Sequence, residues 1–156
     1  MPPLLAYFVT FHTYGTWLHG DAKGSMDDEH NRPGRPLIET NPNRERWEHG
    51  QLKASPFVMG EKERAVVDRT IREVCEFRQW RLHAINVRTN HVHLVVSASA
   101  DAAKVLHDVK AWPTRRLVEA GLVARGAPVW ARHGSTRYID TNESMRAAVD
   151  YVQRHQ

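Results

Sequence analysis

Two histidines separated by one residue, in the segment Asn90-His91-Val92-His93-Leu94-Val95-Val96, are the side chains best placed by type and spacing to do chemistry. The branched apolar run reads as a β-strand, and alternate side chains of a strand share a face. His91 and His93 then project together, with Val92 and Leu94 on the other side. Their Cα atoms are roughly 7 Å apart in such a strand, so two imidazoles can converge on one divalent ion. Alone the pattern is weak. The chain has ten histidines, and an accidental or structural pair reads the same way.

A second group stands at the far end of the chain. Tyr151 and His155 are four residues apart in a segment with helical periodicity, which puts both on one helix face. If that helix meets the histidine strand, three imidazoles surround a cation and leave positions open for a substrate oxygen, as a catalytic metal site requires. A phenol beside a metal-polarised phosphate is a nucleophile for phosphorus. Tyr138 is the rival nucleophile, on a strand with no ligand four residues later. Tyr7 and Tyr14 read as sheet packing.

The elements that must position these residues follow from the chain in order. Leu4 to Leu18 is rich in aromatic and β-branched residues and predicts a long central strand, bulged at Gly15. Residues 19–57 hold many glycines and prolines and read as a long insertion. One or two helical turns are expected around Asn43–Leu52, capped by Asn41 with Pro42 first, and Trp17, Leu37, Ile38 and Trp47 are expected to pin the insertion down. Gly60 to Trp80 is the clearest helix, with Ala65, Val66, Val67, Ile71, Val74, Cys75 and Phe77 as its apolar stripe. Trp80–Val87 and His91–Ala98 form a hairpin turning at Arg88-Thr89-Asn90. Asp101 to Ala120 is helical, capped by Ser99 or Asp101 and ended by Gly121, and Pro113 within it predicts a kink or break. A strand at Thr136–Ile139 and a helix from Asn142 to about Gln156, capped by Asp140 or Thr141, close the chain. Met145, Ala148, Val149 and Val152 are that helix's stripe.

The order β, insertion, α, β, β, α, β, α is that of an α+β fold. It predicts a ferredoxin-like antiparallel sheet (split βαβ) with helices on one face and a long loop insertion after the first strand. At 156 residues a single domain spanning 1–156 is expected, with 19–57 inserted in it.

Composition narrows the class of function. The net charge is +4, and the surplus is uneven: residues 1–60 carry 6 Lys and Arg against 7 Asp and Glu, whereas residues 61–156 carry 16 against 11. The half that holds the histidine pair is therefore the basic half, which suits a polyanion or simply a solvated surface. Cys75 is the single cysteine, which excludes an intrachain disulfide and a cysteine-based zinc knuckle; its place on a helix stripe predicts a buried, inert thiol. No signal peptide is legible, and no run approaches the ~18 apolar residues of a membrane span. A cytoplasmic protein without a membrane partner is the expectation.

Asn90-His91-Val92-His93-Leu94-Val95-Val96 resembles the HUH motif (histidine, bulky hydrophobic, histidine) of the single-tyrosine transposases, a family that includes insertion-sequence transposases and the REP-associated tyrosine transposases. Tyr151-Val152-Gln153-Arg154-His155-Gln156 is similar to their closing helix, which bears a nucleophilic tyrosine with a polar metal ligand four positions on. The resemblance implies cleavage and rejoining of single-stranded, often hairpin-forming, DNA. It makes His91 and His93 ligands of Mg²⁺ or Mn²⁺ and Tyr151 the residue that forms a 5′-phosphotyrosine link. His155 matches the third ligand, where relatives often carry Gln or Asn. The protein would act as a monomer or homodimer.

Other residues are candidates for holding DNA. Lys104, His107, Lys110, Arg115 and Arg116 share one helix and could touch phosphates, Lys110 foremost because it follows the histidine strand directly. Arg132, His133 and Arg137 form a second basic cluster. Trp112 and Trp130 could stack on unpaired bases, although core packing explains them as well. Two other readings stay open: a histidine–metal phosphoesterase that uses a metal-bound water and no tyrosine, and a non-catalytic or domesticated module that binds single-stranded nucleic acid on an open sheet face.

Overall fold

The strand that begins the chain runs over Ala6–His12 (β1) and lies inside the sheet, because both of its faces have something to bury. Tyr7, Val9 and Phe11 are buried on one side; Ala6 is buried and Phe8 and Thr10 are half-buried on the other. The computed structural model describes residues 4–16 and 55–154. Most of the 19–57 insertion, with Trp17, Leu37, Ile38, Trp47 and the turns expected around Asn43–Leu52, lies outside the described residues, as does His155.

After β1 come a helix at Glu61–Arg78 (α1), a hairpin of Arg81–Val87 (β2) and His91–Ser97 (β3), and a helix at Ala102–Glu119 (α2). A strand at Ser135–Ile139 (β4) and a helix at Asn142–Arg154 (α3) follow. The sheet order is β2-β3-β1-β4, every pair antiparallel, which is the expected ferredoxin-like arrangement. Among the described residues no helix is long and apolar enough to cross a membrane.

Two cores result from the alternation of the strands. Val9 and Phe11 of β1 and Val92, Leu94 and Val96 of β3 pack under Val67, Ile71 and Val74 of α1 and Val105, Val109 and Leu117 of α2. The opposite face is smaller: Ala6, Ala84, Val95 and Ile139 pack against Ala148 and Val152 of α3. Here the expectation of helices on one face needs refining. α1 and α2 share a face, while α3 crosses the other. Its apolar stripe is narrow and built of small residues, so it fits against the alanine-rich side of the sheet.

Several boundaries differ from those expected. β1 ends at His12 and does not continue to Leu18 as one strand. Thr13 makes an isolated bridge to Trp130, and residues 14–16 turn. Gly15 sits at φ +76, where a Cβ would meet Pro56 at 3.0 Å, so it serves a turn and not a bulge. In α1, Ala65 lies nearly opposite Val67 and is exposed, and Phe77 is 66% exposed against Trp112. Cys75 is buried, and burial pushes its thiol up to about 11, so it is inert.

Asp101 caps α2, its carboxylate accepting from the Lys104 N–H at 2.9 Å. The break expected at Pro113 does not occur: α2 runs through it to Glu119. Proline removes one intrahelical bond. At this turn the Lys110 carbonyl accepts from Thr114 Oγ1 of the same helix at 2.8 Å and, from outside the helix, from Trp130 Nε1 at 3.0 Å. Thr141 caps α3, accepting from the Ser144 N–H at 3.0 Å.

Candidate active site

The face of the sheet under α3 is where the chemistry collects. β3 starts at His91, so His91, His93 and Val95 point to this face while Val92, Leu94 and Val96 go into the larger core. The two imidazole centroids are 4.7 Å apart. Each ring is held through Nδ1. In His91 it lies 2.8 Å from Asn90 Oδ1, an oxygen that can only accept, so Nδ1 is the donor. In His93 it lies 2.8 Å from Thr10 Oγ1, on the strand directly opposite in register. A partner on the second nitrogen orients a histidine for ligation.

A third imidazole stands beside this pair. His12 ends β1, pairs with His91 in register, and its ring centroid is 5.6 Å from that of His91. Sequence reasoning missed it. The signal was present, since His12 shares its parity along β1 with Phe8 and Thr10, but nothing in the sequence sets the β1–β3 register. Burial pushes His12 down to about 4, with His91 acting in the same direction. His93 is also lowered to about 4, by burial first and then by His91 and His12. Both are therefore neutral at pH 7, the form a metal ligand must take.

Tyr151 reaches this cluster from α3. Its ring centroid is 5.7 Å from that of His93 at an interplanar angle of 82°, and 5.8 Å from that of Phe8. The tyrosine is 44% exposed, so a substrate can approach it. α3 is fastened where it passes the histidines: Asn86 of β2 donates from Nδ2 to the Val152 carbonyl at 3.0 Å. Asn86 was not singled out from the sequence either.

Two imidazoles, each oriented through Nδ1, suit Mg²⁺ or Mn²⁺ as part of a ligand set. Among the described residues no group of three His, Cys, Asp or Glu side chains is placed to hold a metal ion. His155 is not among them.

The remaining expected residues scatter. Tyr138 is 71% exposed on β4 and lies against Tyr7, on the α1/α2 side of the sheet and away from the histidines. Tyr7 itself donates to the Ala100 carbonyl at 2.9 Å, and Tyr14 lies in the turn after β1. Lys104, His107, Lys110, Arg115 and Arg116 are on α2, across the sheet from Tyr151. Lys104 pairs with Asp108 at 3.2 Å and Arg116 with Glu73 at 3.4 Å. Lys110 donates to the carbonyls of Ala131 and His133 at 3.1 and 3.0 Å, and burial lowers its pKa. Arg115 stacks over Trp112 at 5.8 Å. Trp130 packs on Phe11 with centroids 4.9 Å apart. Arg132 and His133 are exposed in the loop before β4. Arg137 is the exception. It is exposed and pairs in register with Phe8, so it shares the sheet face of Tyr151 and His93.

A family model described as "Transposase IS200 like" matches residues 53–155, about two thirds of the chain. β1, which supplies His12 and Thr10, lies outside the matched span although it is central in the sheet. No curated protein matches the sequence. Among solved structures, that of a REP-associated tyrosine transposase bound to a REP hairpin is similar, with a TM-score of 0.51 and 12% identity. The alignment covers 97% of this chain and 67% of the other, and it shows a shared fold.

Proposed function

We propose, from the premise that the chain belongs to the IS200-like transposase family, that it cuts and rejoins single-stranded DNA through a covalent bond between Tyr151 and a 5′-phosphate. One observation carries this reading: the Tyr151 ring stands 5.7 Å from His93 within a single chain. The same fold in a transposase bound to a REP hairpin supports hairpin-forming DNA as the substrate.

In the cleavage step the Tyr151 oxygen forms a bond to phosphorus as the bond from phosphorus to the 3′ oxygen breaks. The phenol gives up its proton, the 3′ oxygen gains one, and the 5′ end stays on the tyrosine. Attack by another 3′-hydroxyl reverses the sequence, restoring a phosphodiester and the free phenol, so no outside energy source is needed. His91 and His93 would hold Mg²⁺ or Mn²⁺, with His155 as a third ligand. Bound there, the ion supplies positive charge to the phosphate oxygens. Asn90 and Thr10 orient the two imidazoles, and Phe8 backs both His93 and Tyr151 with an apolar wall. Arg137 is proposed to meet the DNA backbone on this face. Lys104, Lys110 and Arg115 meet only DNA that extends to the α2 side, with Arg132 between the two.

The test uses end-labelled single-stranded oligonucleotides with Mn²⁺, run on a denaturing protein gel. Label retained on the wild-type protein and absent with Tyr151→Phe supports the tyrosine mechanism. Cleavage that survives Tyr151→Phe replaces it with hydrolysis by a metal-bound water. Binding without any cleavage leaves a binding module.

A further inference from the structure

We infer that Asn86 is a positioning residue for the nucleophile: its side-chain amide, bonded to the Val152 carbonyl, sets the rotation and axial position of α3 and so the placement of Tyr151 against His93. The inference rests on the reading of Tyr151 as the nucleophile.

The need for such a device comes from how α3 is held. Its buried residues are Ala148 and Val152, with Met145 and Val149 partly covered. These small side chains lie on Ala6, Ala84, Val95 and Ile139. Apolar contact of this kind is non-directional, so it fixes a helix on a surface more firmly than it fixes its rotation. Rotation matters here. One residue of slip turns a side chain by about 100° around a helix, which carries Tyr151 off the histidine face. A hydrogen bond does discriminate, because it weakens steeply when its distance or angle changes.

Asn86 is placed to impose that geometry. It pairs in register with His93, so strand β2 puts its side chain on the same face and beside the proposed ligand. Its Nδ2 reaches the Val152 carbonyl at 3.0 Å, one residue from Tyr151. Val152 lies in the last described turn of α3, so the bond acts on the part of the helix that carries Tyr151. Asparagine is also a poor strand residue. Its presence within Leu82-His83-Ala84-Ile85-Asn86-Val87 breaks a local preference, and the bond to α3 is the compensating gain.

The experiment compares the full chain with Asn86→Ala and with Asn86→Asp, which keeps the shape but loses the donor. Three quantities are read: the single-turnover rate of covalent adduct formation on labelled single-stranded DNA with Mn²⁺, the affinity for that DNA, and hydrogen exchange of the backbone amides in residues 149–154 without DNA. The expected result is a loss of adduct rate of roughly ten- to a hundredfold in both variants, with affinity changed less than about twofold. Exchange in residues 149–154 rises while that of α1 stays as in wild type. Adduct rates within twofold of wild type, or a loss matched by an equal loss of affinity, overturn the proposal. If the wild-type protein forms no adduct, the tyrosine reading has failed and hydrogen exchange decides alone: unchanged exchange in α3 then removes Asn86 as its clamp.

Discussion

Thr10 Oγ1 and His93 Nδ1 are 2.8 Å apart, joining the two central strands across the sheet face that carries Tyr151. The contact fixes the plane of the imidazole that packs against the Tyr151 ring. β1 therefore contributes to the site through Thr10 as well as through the neighbouring His12.

Thr10→Val keeps the side-chain shape and removes the hydroxyl. Mn²⁺ affinity and adduct formation should fall by about 10- to 100-fold, the usual cost of losing a partner behind a ligating histidine. Thr10 is half-buried and is replaced by a good strand former, so the urea midpoint should move little. Calorimetric titration with Mn²⁺ checks the first point. Unchanged affinity would show that Thr10 merely packs.

Acid should unfold the metal-free protein partly through His12 and His93. Both lie near 4 in the folded chain, below the ordinary histidine value of about 6.5, so the unfolded chain takes up their protons first. Their contribution is complete above about pH 6.5 and is lost progressively as pH falls toward 4. Urea midpoints measured from pH 7.5 to 4 should drop less steeply for His12→Gln than for wild type. Parallel curves would remove His12 from the cause.

Arg137 and Lys110 should separate by salt dependence. Arg137 lies exposed on the face of the site, whereas the Lys110 ammonium is committed to two backbone carbonyls. Arg137→Gln should reduce the slope of log affinity against log salt by about 0.7 on single-stranded DNA. Lys110→Met should leave that slope alone and lower thermal stability instead. The opposite pattern would move the DNA track to α2.

Asp108 is 2% exposed between α1 and α2, bonded by Arg78 Nε at 3.1 Å, Lys104 Nζ at 3.2 Å and His107 Nδ1 at 3.1 Å. Burial pushes its carboxyl up, but the hydrogen bonds from His107 and Lys104 and the charges of Lys104 and Arg78 outweigh it, and the pKa ends below the ordinary value. Asp108→Asn should destabilise by about 1–3 kcal/mol, less than a fully buried pair would lose, because the cationic partners are partly solvated. Denaturant unfolding at pH 7 measures this. Being on the far side of the sheet, the change should leave adduct formation per folded molecule as it was.

The fold was legible because its signals are periodic and local. Val92, Leu94 and Val96 alternate with His91, His93 and Val95, and that alternation alone assigns the histidines to the face away from the larger core. Helical spacing put Tyr151 on the closing helix in the same way, and the resemblance of both segments to the transposase motifs pointed to the family that the sequence match then established. What misled was also local. Pro113 predicted a kink or break by its own geometry, but the helix runs through it, and beside it Trp130, distant in sequence, donates to the Lys110 carbonyl. Lys110 drew notice because its helix directly follows the histidine strand, and the structure adds its bonds to the Ala131 and His133 carbonyls.

By itself, then, the sequence determined the α+β order of elements, the shared face of His91 and His93, and the place of Tyr151 on the closing helix. These depend on spacing along one chain segment, which strand and helix periods translate directly into direction. Only the tertiary structure decided that α3 crosses the sheet on the histidine side, that the β1–β3 register sets His12 beside His91 and Thr10 beside His93, and that Asn86 holds the tyrosine's helix. Each of these is a meeting of segments far apart in sequence. Strand register and the choice of sheet face come from how whole surfaces pack, and no short stretch of residues encodes them.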